Sequence, residues 1–319
     1  MLSKWNLDLK LLFRIAKEKG KEIEGDFVSV FKKKDHIEFN TGLHTAFLLK
    51  GKEVIFQFTP KDGSLMKKLE IFLRKNRLTQ GYITCNSGTL SDMRCAFFLT
   101  KNKPSPTFSK AFFKGKNKII SISGFFLMIP TIKDGRPISK VVPHVHVVFQ
   151  NNITAKIFSG HLEDAQSGDI KLKIIPLSGK LMKRETDPNT GGMYLRTDKK
   201  EDDKPTVGET MLFAFGPHED FPNKLFKLMS NYQIKKAKYS FAVGTLWSVY
   251  LKDQGKEKMV SPTYGLELSL TTGEVTFDNK RYFHNTNVHL TDRYGKQYKG
   301  RLISGKVKDI LEGALEIVS

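Results

Sequence analysis

One order of elements occurs twice in this chain, and that repetition limits the folds open to it. Residues 54–93 read "VIFQFTPKDGSLMKKLEIFLRKNRLTQGYITCNSGTLSDM", and residues 211–249 read "MLFAFGPHEDFPNKLFKLMSNYQIKKAKYSFAVGTLWSV". Each begins with an alternating strand, around Phe56 and Phe58 or around Phe213 and Phe215, and turns at a proline, Pro60 or Pro217. Apolar residues then recur at helical spacing: Leu65, Leu69, Phe72 and Leu73 in one, Leu225, Leu228 and Met229 in the other. Each closes with a strand and Gly-Thr-Leu, at Gly88-Thr89-Leu90 and Gly244-Thr245-Leu246. A shared tripeptide carries little, but the shared order is hard to reach by chance.

The correspondence continues. "KIISISGFF" (118–126) matches "LELSLTTGEV" (266–275), an alternating strand with Gly124 or Gly273 read as a turn. "PHVHVVF" (143–149) matches "TNVHLTD" (286–292), and "SGHLEDA" (159–165) matches "KGRLISG" (299–305). The charged, apolar-poor stretch 196–206 reads as a linker. This predicts an N-terminal extension over 1–44, helical at its start, and two domains of one fold over 45–195 and 207–319. Helices are few and alternating strands many, so the expected class is α+β, each domain a mostly antiparallel sheet with one or two packed helices.

Composition narrows the function. The chain has 319 residues with a formal net charge of +20, an excess that suits an anionic partner such as nucleic acid, an acidic protein or a lipid surface. Two cysteines, Cys85 and Cys95, form no metal-type spacing and no disulfide framework, which points to a reduced, cytoplasmic compartment. No apolar run is long enough to span a bilayer, and Asp8 and Lys10 interrupt any signal-peptide core.

The run of a helix, "GYITCNSGTLSDM", "ISISG", "PHVHVVF", "SGHL" and "GKLMKRETDPNTGGMYL" resembles the plants-and-prokaryotes-conserved (PPC) domain family, including a closing tail matched by Lys183, Arg184, Asp187, Thr190 and Gly191. The first copy matches nearly throughout; the second keeps the layout but has lost residues. The resemblance implies a sandwich-like domain that commonly forms trimers. It implies a metal on the histidines of the His-x-His and Gly-His strands in prokaryotic members. It also implies nuclear DNA binding in plant members, where the domain accompanies an AT-hook.

His144 and His146 lie two apart on a strand and share a face. With a two-residue turn at Asn151-Asn152, Gln150 would pair with Ile153, and His161 would lie diagonal to His144 on the same face. Three neutral imidazoles suit zinc, iron or nickel. The alternative is a set of hydrogen-bonded histidines in a core or interface. In the second copy the aligned residues are Asn287, His289 and Arg301, and a permanent arginine cation would repel a metal, so one site is expected, in the first domain. Glu163 and Asp164, the nearest candidates for a general base, read as a solvated pair.

"KNKPSPTFSKAFFKGKNK" (101–118) interleaves Lys101, Lys103, Lys110, Lys114, Lys116 and Lys118 with Phe108, Phe112 and Phe113. That pattern suits nucleic acid; the alternative is a solvated loop. Arg301 is a further anion-binding candidate. Gly135-Arg136-Pro137 has the core of an AT-hook, but Asp134 precedes it and would repel phosphate, so a turn is expected. The sequence therefore points to a non-catalytic, oligomeric binding protein associated with nucleic acid, with a histidine metal site in its first domain. A metal-dependent enzyme using the same histidines, and a protein-interaction or effector module with a basic surface, stay as alternatives.

Overall fold

The computed structural model describes residues 45–61, 63–98, 108–133, 136–179, 182–186, 193–196, 205–261, 265–292 and 294–319. The extension 1–44, Lys101, Lys103 and the tail residues Asp187, Thr190 and Gly191 lie outside them. In chain order the elements begin with β1 (Thr45–Lys50), β2 (Val54–Phe58), α1 (Leu65–Lys75), β3 (Gln80–Cys85), β4 (Gly88–Phe98) and β5 (Phe108–Lys133). There follow β6 (Arg136–Asn151), β7 (Ile157–Asp164), β8 (Ser167–Ser178), β9 (Lys183–Thr186) and β10 (Met193–Arg196). The second half holds β11 (Glu209–Phe215), α2 (Phe221–Asn231), β12 (Lys236–Asp253), β13 (Lys256–Val260), β14 (Leu266–Asp278), β15 (Arg281–Thr291) and β16 (Gln297–Ile317).

This corrects the expected α+β class. Among the described residues two 11-residue helices accompany a 14-stranded, mostly antiparallel assembly and a small β9–β10 pair, so the protein is mostly β. The reason lies in the glycines. Gly124 and Gly273 are not turns but sit within β5 and β14, opposite Val145 and Thr286. A Cβ at Gly124 would stand 2.1 Å from the His144 carbonyl oxygen, and one at Gly273 would stand 1.8 Å from that of Asn285. Without a side chain the neighbouring backbone closes in and the strand runs on. β5 thereby reaches 26 residues and β14 reaches 13.

The helices form where the spacing predicted. Leu65, Leu69 and Leu73 bury one face of α1, and the Ser64 hydroxyl caps it by accepting from Lys67 N–H. Leu225 and Met229 do the same for α2, capped by Asp220 with Pro222 in its first turn.

Both halves use one pairing scheme. In the first, β4 pairs β5, β5 pairs β6, β6 pairs β7, and β7 pairs β4. In the second, β12 pairs β14, β14 pairs β15, β15 pairs β16, and β16 pairs β12. Each half has its own apolar core, built around residues such as Phe58 and Phe126 or Phe213 and Phe221. A third core is shared: Leu48, Tyr82, Phe125, Leu127 and Leu177 meet Leu212, Phe241, Val243 and Ala314. β1 crosses the seam, pairing β11 from Thr45 to Leu49 and touching β8. Ser123 and Ser159 stitch it further, their hydroxyls donating to the carbonyls of Ser269 and Glu267 at 3.0 Å. The described residues accordingly fall in one compact unit. Among the described residues no helix is long and apolar enough to cross a membrane.

Candidate metal centre

The β6–β7 connection is longer than the two-residue turn the sequence suggested. Gln150 pairs with Ile157, not Ile153. The Asn151 side chain fills the extra length: its Oδ1 accepts from Thr154 N–H at 2.9 Å, while Asn151 N–H donates to the Lys156 carbonyl at 2.9 Å. The difference is an even number of residues, so the face is kept. His161 now stands directly opposite His146 instead of diagonal to His144 alone.

The three histidines come together. Ring centroids lie 5.4 Å apart for His144–His146, 4.7 Å for His144–His161 and 5.6 Å for His146–His161. One nitrogen from each lies within 4.8 Å of the others, so the trio could hold a metal ion. Tetrahedral zinc, with bonds of about 2.0–2.1 Å, needs ligand nitrogens about 3.3–3.5 Å apart, which modest ring rotations would reach. The donors suit that ion. Burial and then the Arg184 guanidinium keep His144 well below the usual imidazole range. Burial and then His161 do the same for His146. Burial and Arg184 bring His161 down to about 4. Neutral imidazoles with free lone pairs are what a metal requires.

Sequence reading missed what surrounds the trio. His144 Nδ1 lies 3.1 Å from Glu312 Oε2 on β16, and His146 Nδ1 lies 3.7 Å from Glu267 Oε2 on β14. Both carboxylates are almost wholly buried. Glu312 also accepts from Leu195 N–H at 3.2 Å, and burial pushes its carboxyl up to about 7 against the pull of Arg184. Arg184 approaches His144 Nδ1 at 3.5 Å. The sequence signal for the two acids is that each sits beside apolar residues, Glu267 between Leu266 and Leu268 and Glu312 after Leu311.

The acidic pair after His161 is not simply solvated. Asp164 is buried and anchors the start of α1, accepting from the Ser64 hydroxyl and Met66 N–H, each at 3.1 Å. Glu163 is half-buried, pairs with Lys110 at 2.8 Å and lines a cleft of about 540 Å³ beside His161, with Lys67, Glu70 and Lys140. In the second half the register pairs Asn287 with Arg301 and Val288 with Gly300, whereas Val147 pairs with Gly160. Aligned through these glycines, Asn287 takes the place of His146, two residues from where the sequence match put it. Arg301 is exposed and donates to the His284 carbonyl at 3.3 Å.

The lysine-rich segment is a strand where described, since β5 starts at Phe108. Lys110, Phe112, Lys114, Lys116 and Lys118 are exposed, while Phe113 packs edge-on against Phe149 at 4.7 Å. Lys133 pairs with Arg136, and the turn expected at Asp134-Gly135 lies outside the described residues.

No curated protein matches the sequence. Among solved structures, similarity is found to a plant- and prokaryote-conserved (PPC) protein from Pyrococcus horikoshii, with 24% identity over 48% of this chain and 96% of that one and a TM-score of 0.38. A metal-containing protein from Archaeoglobus fulgidus is 23% identical over 47% and 97%, with a TM-score of 0.37. A candidate DNA-binding protein from Bacteroides thetaiotaomicron is 17% identical over 49% and 100%, with a TM-score of 0.37. The stretch 49–178, which carries all three histidines, matches the family model of the Plants and Prokaryotes Conserved (PCC) domain.

Proposed function

We propose that this protein is a non-catalytic binding protein built from two tandem copies of one domain, with a divalent metal held by His144, His146 and His161 of the first copy. The observation that carries the metal reading is the approach of three donor nitrogens to within 4.8 Å, with burial as the main cause that keeps the imidazoles neutral. The common pairing scheme of the two halves supports the tandem reading. The metal would serve to anchor a small anion or to rigidify the sheet. Among the described residues, the acids that follow His161 are engaged elsewhere, Asp164 with the start of α1 and Glu163 with Lys110.

The proposed partner is nucleic acid, met by the exposed strip Lys110, Phe112, Lys114, Lys116 and Lys118, which combines cationic charge with an aromatic face. Elemental mass spectrometry of tag-free protein tests the metal reading. About one metal per chain in the wild type and none in His146→Ala is expected. Metal-free protein after exposure to zinc and iron would refute it.

A further inference from the structure

The histidines belong to the first half, yet the acids that face their outer nitrogens belong to the second. We propose that Glu312 and Glu267 are the positioning residues of the metal centre, so that the centre is complete only where the two halves meet. This rests on the histidine reading given above.

The geometry is specific. Glu312 Oε2 lies 3.1 Å from His144 Nδ1, and its other oxygen accepts from Leu195 N–H at 3.2 Å, which fixes the carboxylate plane. Glu267 Oε2 lies 3.7 Å from His146 Nδ1. Strand β14 is held there because its own backbone carbonyls, at Glu267 and Ser269, accept from Ser159 and Ser123 across the seam. At 3.1 Å the Glu312 carboxylate would hold the proton on His144 Nδ1, leave its Nε2 lone pair for the metal and raise its basicity, whereas Glu267, at 3.7 Å, acts on His146 by its charge. Arg184 reaches the same His144 nitrogen from 3.5 Å, further away than the acid at 3.1 Å. A carboxylate this deep is costly, and a metal behind the imidazole adds to the positive charge that Arg184 already sets against Glu312. Metal loading would then strengthen docking of the halves.

The test uses the full chain at pH 8. Zinc affinity is measured by chelator competition for the wild type, Glu312→Gln, Glu267→Gln and Glu312→Asp. Imidazole ¹⁵N shifts of the metal-free proteins report the tautomers. Glu312→Gln is expected to weaken zinc binding about 10–100-fold. Glu267→Gln is expected to weaken it less, and Glu312→Asp to recover part of the loss. Wild-type His144 is expected in its Nδ1–H form, and metal-free melting is expected to be unchanged or higher in the Gln variants. Zinc binding within twofold of wild type in Glu312→Gln, or an Nε2–H tautomer at His144, overturns the assignment. Should Glu312→Gln fail to fold, Glu267→Gln is read by the same criteria. A wild type that takes up no zinc removes the histidine reading and this inference together, whereas a zinc-binding wild type with indifferent acids removes only the inference.

Discussion

His146 on β6 faces His161 on β7 directly across the strand ladder, and the Asn151 side chain sets that register from the hairpin end. Asn151 Nδ2 donates to Asn117 Oδ1 at 2.7 Å, with both side chains buried, and Asn117 in turn donates to the Gly115 carbonyl at 2.9 Å. Replacing Asn151 leaves Asn117 Oδ1 without its donor and frees the connection. Asn151→Ala is therefore expected to cost about 2–3 kcal/mol of stability, by denaturant unfolding, and to weaken metal binding. Unchanged stability and affinity would show that the register is held elsewhere.

Acid should destabilise the metal-free protein. His161 and His289 are each lowered to about 4, in both cases mainly by burial, and burial also holds His144 and His146 well below the usual imidazole range. A depressed histidine pKa means that the unfolded chain takes up protons first, so this stability is complete above about 6.5 and is lost as pH falls toward 4. Glu312, raised to about 7, acts in the opposite sense: its contribution is present below its ordinary carboxyl value and is lost as pH rises through 7. Four histidines outweigh one carboxyl, so stability should drop steadily below about pH 6.5. His289→Gln should remove up to about 3 kcal/mol of the difference between pH 7 and pH 4. An equally steep curve for that variant would mean that His289 is not the group taking up the proton.

Gly124 lets β5 and β6 approach behind His144. An added Cβ would meet the His144 carbonyl at 2.1 Å and the Val145 Cα at 2.7 Å, and backbone cannot yield as a flexible side chain can. Gly124→Ala is expected to cost about 2–4 kcal/mol and to displace His144, lowering metal content in whatever folds. Wild-type stability and metal content in this variant would contradict the strand pairing described.

Lys114, Lys116 and Lys118 are exposed on β5. If they neutralise phosphates, changing all three to Gln should reduce the slope of log affinity against log salt by about 2–3 and weaken binding at all sequences alike. Equal slopes for the triple variant and the wild type would place any nucleic-acid contact on another surface.

Much of the local structure was legible because it follows short-range rules. The 3.6-residue spacing of Leu65, Leu69 and Leu73 located α1, and the alternation at Phe56 and Phe58 located β2. The i, i+2 relation of His144 and His146 placed them on one face whatever the turn length, and the even offset of the real connection kept His161 with them. Strand length was not legible, because glycine within a sheet and glycine in a turn look alike until the neighbouring backbone is known. Asp164 was misjudged for a similar reason: its partners at Ser64 and Met66 are remote in sequence.

The sequence by itself determined that His144 and His146 share a face and where α1 and α2 form. The tertiary structure alone decided that the two halves share the Phe125, Tyr82 and Phe241 core and that Glu312 and Glu267 face the histidines across it. Periodicity carries the direction of a side chain relative to its own strand. It carries nothing about which distant strand that side chain will meet. That is settled only when the apolar faces of both halves are buried together, and the buried charges must then find partners where the packing leaves them.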